Sequence, residues 1–195
     1  MTKLLTTFFC CFSILFSVHC QCPTFVTRIV WAARPPSSSI PVITVRPSPY
    51  LVVHQTGEQN QFCTTQASCA QQTRIIQNHH MDVLGWPDIG FSFTVGEDNL
   101  IYTGRGWFQQ SQNVGPFANQ SFNIAYIGNF INRLPSLSAR NLLDPIINCA
   151  IVAGHLSPNY FVVAACQIQG TNCAENTIHE WIRSHPRYTE LPVPV

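Results

Sequence analysis

Lysine is almost missing from this 195-residue chain: Lys3 stands alone, and charged residues of all kinds make up 10% of the total. Beyond residue 20 the nine arginines are matched by nine carboxylates. A formal balance of zero leaves no electrostatic footprint for nucleic acid or an acidic membrane surface. Past the first twenty residues no run is long and apolar enough to cross a bilayer. Internal repeats are missing as well, and nothing marks a second domain. The length suits one domain with a substantial core.

Acid is absent from the start of the chain, where Lys3 precedes an apolar run from Leu4 to Val18. With Val18 and Cys20 at the −3 and −1 positions, residues 1–20 read as a secretory signal peptide cleaved after Cys20. The mature protein is therefore expected outside the cell. Six cysteines remain: Cys22, Cys63, Cys69, Cys149, Cys166 and Cys173. An even number in an exported chain reads as disulfides, with the connectivity open. Asn119-Gln120-Ser121 is the one glycosylation sequon, which places an exposed loop there.

The patterning predicts a mixed sheet with helices packed on it. Tyr50 to His54 is a short continuous apolar strand, as in a sheet covered on both faces. Residues 55–63 form a polar loop, and Thr65 to Met81 a helix. Gly85 and Pro87 stop that helix. Phe91, Phe93 and Val95 alternate with polar or small residues as a half-buried strand. Glu97-Asp98-Asn99 turns the chain, and Leu100 to Tyr102 returns. Phe122 to Ile127 is another strand. A second helix runs from Pro135-Ser136 to Gly154, with Pro145 predicting a kink or irregularity rather than a clean helix. Tyr160 to Ala165 is the last buried strand and Glu175 to Arg183 the last helix. The fold class is thus α/β (α+β): a mixed central β-sheet flanked by about three helices and stapled by disulfides.

The stretch from His80 to Trp107, HMDVLGWPDIGFSFTVGEDNLIYTGRGW, resembles the central signature of the peptidoglycan recognition proteins. These are animal relatives of phage-type zinc amidases that cleave N-acetylmuramoyl-L-alanine bonds. Further matches run from about Cys22 to Tyr188. The resemblance implies a family-specific segment over residues 21–49, an amidase-like domain over 50–188 and a flexible tail over 189–195. It also implies the pairs Cys63–Cys69 and Cys22–Cys149.

In the catalytic members of this family, zinc is held by the His of V-x-H-x-T, by a second His, and by a Cys eight residues further on. A Tyr in D-I-G-Y assists. Here Val53-His54-Gln55-Thr56 and Cys173 match, but the second His is Ala165 and the Tyr is Phe91. A methyl group binds no metal, and His54 with Cys173 is a poor zinc site. The expectation is a non-catalytic member with no cofactor, His54 and Cys173 being vestigial. Cys166, seven residues from Cys173, is then expected to pair with it, the alternative being two free, half-buried thiols. The alternative is a zinc-dependent amidase drawing an unorthodox ligand from His155 or His179.

Binding is separate from catalysis. Gly85-Trp86 with Arg105 matches the family pattern for diaminopimelate-type peptidoglycan. Diaminopimelate is lysine plus a carboxylate, which a guanidinium fork takes in bidentate fashion. Thr56 and His80 match groove positions, whereas Gln55, Asn113 and Ala118 depart from them. His79, His155, His179 and His185 read as surface or satisfied histidines. The implied role is a secreted innate-immune protein binding bacterial muropeptides without hydrolysing them. Its partners would be a second family member or a signalling protein. A ligand-free regulator of a paralogue is the remaining alternative.

Overall fold

The computed structural model describes residues 22–57, 61–170, 173 and 176–191. The expected signal peptide and residues 192–195 lie outside the described residues.

A six-stranded sheet carries the fold: β1 (Phe25–Val26), β2 (Ser48–Gln55), β3 (Phe93–Val95), β4 (Ile101–Thr103), β5 (Ser121–Tyr126) and β6 (Leu156–Ala164). Their spatial order is β1-β4-β3-β5-β2-β6. The β3–β4 hairpin is antiparallel, and the other pairs are parallel. β2 lies inside the sheet with parallel partners on both edges, and Leu51 to His54 are all buried. That is the environment its unbroken apolar run requires. β6 starts earlier than its expected Tyr160. It accepts Pro158 because it is an edge strand, where a missing N–H breaks no ladder bond.

Among the described residues five α-helices flank the sheet: α1 (Gln66–Asn78), α2 (Leu137–Arg140), α3 (Leu143–Val152), α4 (Ala165–Gln169) and α5 (Thr177–Arg183). Thr65 and Ser68 cap α1 reciprocally, each side chain bonding the other's backbone N–H at 3.2 Å. Such boxes satisfy donors that the first turn leaves unpaired. Instead of running straight to Met81, the chain widens into a π turn over His79–Val83. The expected second helix is two. The break falls at Asn141-Leu142, and Pro145 sits in the first turn of α3, where its missing N–H leaves no gap. The irregularity expected in this helix is thus a break ahead of Pro145. α4 was not foreseen, because the strand was expected to continue through Ala165. Of the tail expected over 189–195, Thr189 is bonded to the body of the domain: its N–H donates to the Val162 carbonyl and its own carbonyl accepts from Gln167.

Each face of the sheet has its own core. One packs Phe122, Ile124 and Tyr126 against Ile146, Ile147, Ile178 and Ile182 of α3 and α5. The other packs Tyr102, Ala125 and Ile89 against α1 and against Trp31 from the N-terminal segment. Trp31 is fully buried, and its indole N–H donates to the Thr103 carbonyl at 2.9 Å. Nearby, buried Asp88 accepts from Gln77 at 2.6 Å and pairs with Arg28 at 2.9 Å. The segment before β2 is thus tied in by an aromatic anchor and an ion pair.

Disulfides join Cys22 to Cys149, Cys63 to Cys69, and Cys166 to Cys173. The first ties the start of the described chain to α3, and the second holds the loop before α1.

If Trp31 anchors the N-terminal segment, Trp31→Ala should cost about 3–5 kcal/mol in unfolding free energy by denaturant titration, the scale for emptying a large buried aromatic site.

Candidate functional site

A groove of about 610 Å³ opens between the ends of β2 and β6, the π turn and α4. Its wall includes His54, Thr56, His80, Trp86, Phe91, Asn113 and Ala165. Seven positions singled out in the sequence, spread over more than a hundred residues, therefore meet at one place.

Beneath the groove, behind His54, lie buried polar groups whose roles are fixed by one another. The Ser92 backbone N–H donates to Asn123 Oδ1 at 2.6 Å, so Asn123 Nδ2 is the atom facing His54 Nε2, at 3.3 Å. That nitrogen must accept, and His54 carries its proton on Nδ1. Ser92 continues the chain to Ser111 through a 2.8 Å contact between hydroxyls. Burial pushes the His54 imidazolium pKa down to about 3, with the neighbouring His80 adding to the effect.

His80 stands in the π turn. Its Nδ1 accepts the Gly90 N–H at 2.9 Å, which leaves Nε2–H as the donor. Burial, then the charges of His79 and Arg105, push its pKa down to about 4. The Trp86 ring packs against His80 at 4.6 Å between centroids. Gly90 is required here for space, since a Cβ would sit 2.5 Å from the Trp86 ring. Thr56 Oγ1 accepts from the Gly128 N–H at 2.9 Å.

Arg105 is placed differently from the expectation of a groove guanidinium. It lines a neighbouring recess of about 520 Å³ with Gln110, Ser111, Gln112 and Ala118, and only Asn113 borders both spaces. Its side chain is 6% exposed. Nε donates to the Ile89 carbonyl at 2.7 Å and Nη1 to the Gln110 carbonyl at 2.6 Å. Nη2 is buried without a partner. Burial lowers its pKa to about 10, so it stays cationic at neutral pH. Gly85 lines neither space; it is an exposed turn residue at φ +67° beside Trp86. Asn119, the sequon residue, is half-buried, and its Oδ1 accepts from the Thr44 backbone at 2.8 Å.

The zinc ligand set implied by the resemblance does not fit the residues present. Ala165 offers a methyl group, the Cys173 sulfur is bonded to Cys166, and Phe91 has no hydroxyl. His54 faces Asn123 through Nε2. Neither late histidine completes the set: His155 stacks on Trp107 at 5.1 Å, and His179 lies behind the Cys166–Cys173 pair, its Nε2 3.0 Å from Tyr188 Oη. The sequence reading missed His79, Leu84, Gln169 and Asn176, which also line the groove. His79, read from the sequence as a surface or satisfied histidine, is instead part of the groove wall, and Gln169 had no signal without α4.

A covered sheet ending in such a groove defines the chain as an amidase-type domain. Residues 44–180 match the family model for N-acetylmuramoyl-L-alanine amidase. The chain belongs to the peptidoglycan recognition protein family. It is 32% identical to mouse (Mus musculus) peptidoglycan recognition protein 1 over 184 residues, covering 94% of this chain and 99% of the relative. It is 36% identical over 171 residues to mouse N-acetylmuramoyl-L-alanine amidase, covering 87% of this chain but only 32% of the relative, so it spans about a third of that protein's length. Among solved structures, human PGRP-IBETAC in complex with glycosamyl muramyl pentapeptide superposes with a TM-score of 0.78 at 30% identity, covering 86% of this chain and 99% of that one.

The depressed imidazole values carry a stability signature. A base whose folded pKa lies below its unfolded value stabilises the fold above the unfolded pKa, and this contribution is lost as pH falls toward the folded one. Unfolding free energy should therefore decline as pH drops from 6.5 toward 4 and 3. In His54→Gln the slope between about pH 5.5 and 4 should shrink by one proton's worth, roughly 1.4 kcal/mol per pH unit, in denaturant titrations at stepped pH.

Proposed function

We propose that this chain is an exported, disulfide-stapled recognition protein of innate immunity that binds bacterial peptidoglycan in the groove and does not hydrolyse it. The observation that carries this reading is the contrast within one groove. The contact residues Thr56, His80 and Trp86 stand in place, while the positions for metal and assisting hydroxyl hold Ala165, a disulfide and Phe91. A family relative solved with a muramyl pentapeptide supports the ligand class. No metal cofactor is needed for this role.

The groove suits a peptide stem. Its floor is a set of neutral, mutually satisfied polar groups, and its side is an indole face. Trp86 supplies apolar area at small entropic cost, and His80 supplies a fixed N–H donor. The extra carboxylate of diaminopimelate is read by Arg105, whose recess adjoins the groove at Asn113. The presented muropeptide is then passed to a second family member or a signalling protein. Outside the cell, Asn119 carries an N-linked glycan.

The test is a pull-down of the purified protein on insoluble diaminopimelate-type and lysine-type peptidoglycan, with muropeptide release followed in added zinc. Retention without release is the expected result. Failure to bind either polymer would sink the reading, and chelator-sensitive release would convert it to an amidase.

Arg105→Ala sharpens the specificity claim. In variant protein shown to be folded, affinity for diaminopimelate-type fragments should fall by about 1–3 kcal/mol in calorimetric titration, the scale of an unmade charge-assisted bond. Affinity for lysine-type fragments should stay the same. Equal losses on both would reduce Arg105 to a brace for the Ile89 and Gln110 carbonyls.

A further inference from the structure

Cys166, Cys173 and His179 form a cluster that peptidoglycan binding leaves unused. One ligand atom from each lies within 4.8 Å of the other two. The cluster is supported on regular structure. Cys166 sits in the first turn of α4 and lines the groove. His179 sits in the first turn of α5, whose cap Asn176 accepts its backbone N–H at 3.4 Å. Both are largely buried, at 4% and 9% exposure.

As a disulfide the two sulfurs are not metal donors, because thiolates are what ligate. Two thiolates and one imidazole are the donor set that d¹⁰ cations prefer. Zinc–thiolate bonds of about 2.3 Å put neighbouring sulfurs roughly 3.8 Å apart at tetrahedral angles. The imidazole nitrogen already lies within 4.8 Å of both sulfurs, and the sulfurs, 2.06 Å apart as a disulfide, would have to separate by about 1.7 Å once their bond is gone. Tyr188 Oη is 3.0 Å from His179 Nε2. A partner on one ring nitrogen fixes the tautomer and presents the other nitrogen, the arrangement that orients metal-bound imidazoles. This set shares only Cys173 with the one implied by the family resemblance.

We propose that the Cys166–Cys173 disulfide is the closed form of a redox-gated metal site. When it is reduced, Cys166, Cys173 and His179 bind a thiophilic divalent cation of the zinc type, with the fourth position left to water at the edge of the groove. The exchange balances with a dithiol reductant. The dithiol gives two electrons and two protons to the disulfide and becomes a disulfide itself, leaving two cysteine thiols. Metal binding then releases those two protons to solvent. Reducing conditions thereby turn a covalent staple at the groove wall into a coordination site.

Cobalt(II) tests this directly, since thiolate ligation gives it an intense charge-transfer absorption. The full mature chain is reduced with dithiothreitol, freed of reductant without oxygen, checked for folding by circular dichroism and titrated with cobalt, then with zinc. One cobalt per chain should bind with the charge-transfer band, and zinc should displace it. The oxidised chain should show none. Cys166→Ser should lose about half the band, and His179→Ala should keep the band but weaken binding at least tenfold. The double variant Cys63→Ala, Cys69→Ala should bind like the parent, which separates this site from the other reduced pairs. No uptake, uptake only by unfolded chain, or uptake unchanged in both Cys166→Ser and His179→Ala would each overturn the proposal.

Discussion

β2 is hydrogen-bonded to a parallel neighbour on each edge, and almost everything at the groove depends on the register this imposes. Val52 stands opposite Asn123 of β5, His54 opposite Ala125, and Val53 opposite Ala164 of β6. Residues two apart share a face, so Val52, His54 and Asn123 look to the groove side while Leu51 and Val53 enter the opposite core. A slip of one residue would exchange an imidazole for an isopropyl group in each core. With two ladders to break and apolar cores on both faces, no such slip is accessible. The contact between His54 and Asn123 therefore follows from the sheet, independently of any ligand.

Burial then dictates the chemistry of the floor. A polar group taken from water without a partner costs on the order of 1–3 kcal/mol. The floor avoids that cost by pairing donors with acceptors in one direction: the Ser92 backbone to Asn123, and Asn123 to His54. The result is neutral. Arg105 follows the same rule only in part in the adjoining recess: the Ile89 and Gln110 carbonyls and Gln112 Oε1 take three of its five N–H donors, and Nη2 is left unpaired. A cation fixed this way is already desolvated and oriented, so a carboxylate meeting its remaining donor loses little side-chain entropy.

Much of this was legible in the residues. The strand ending at His54, the stop at Gly85 and Pro87, and the returning hairpin were written in apolar period and turn chemistry, and the motif around His80 to Trp107 carried the family. Other features were not legible, for physical reasons. Pro145 reads as a helix breaker but is harmless in a first turn, and nothing local says that the chain breaks four residues earlier. Ala165 looks like a strand residue because its neighbours are apolar, but the ladder with β2 ends at Ala164, whose N–H is taken by the Gln167 side chain as α4 begins. Arg105 reads from the sequence as a groove guanidinium, since sequence does not reveal the carbonyls that converge on it in the adjoining recess. Gly90 passed as part of a motif, whereas its actual duty is to leave room for an indole.

The π turn at His79–Val83 has a bearing on how this groove tolerates change in length. A π turn holds one more residue than the α-helical turn it replaces, and each residue advances a helix by about 100°. Deleting a single residue anywhere in that turn would let it relax to ordinary helix and would rotate His80 away from the Gly90 N–H it now accepts. The groove is thus sensitive to insertions and deletions in α1 even when every contact residue is retained. Two chains with identical side chains at these positions, but differing by one residue in this helix, would present different surfaces to a ligand.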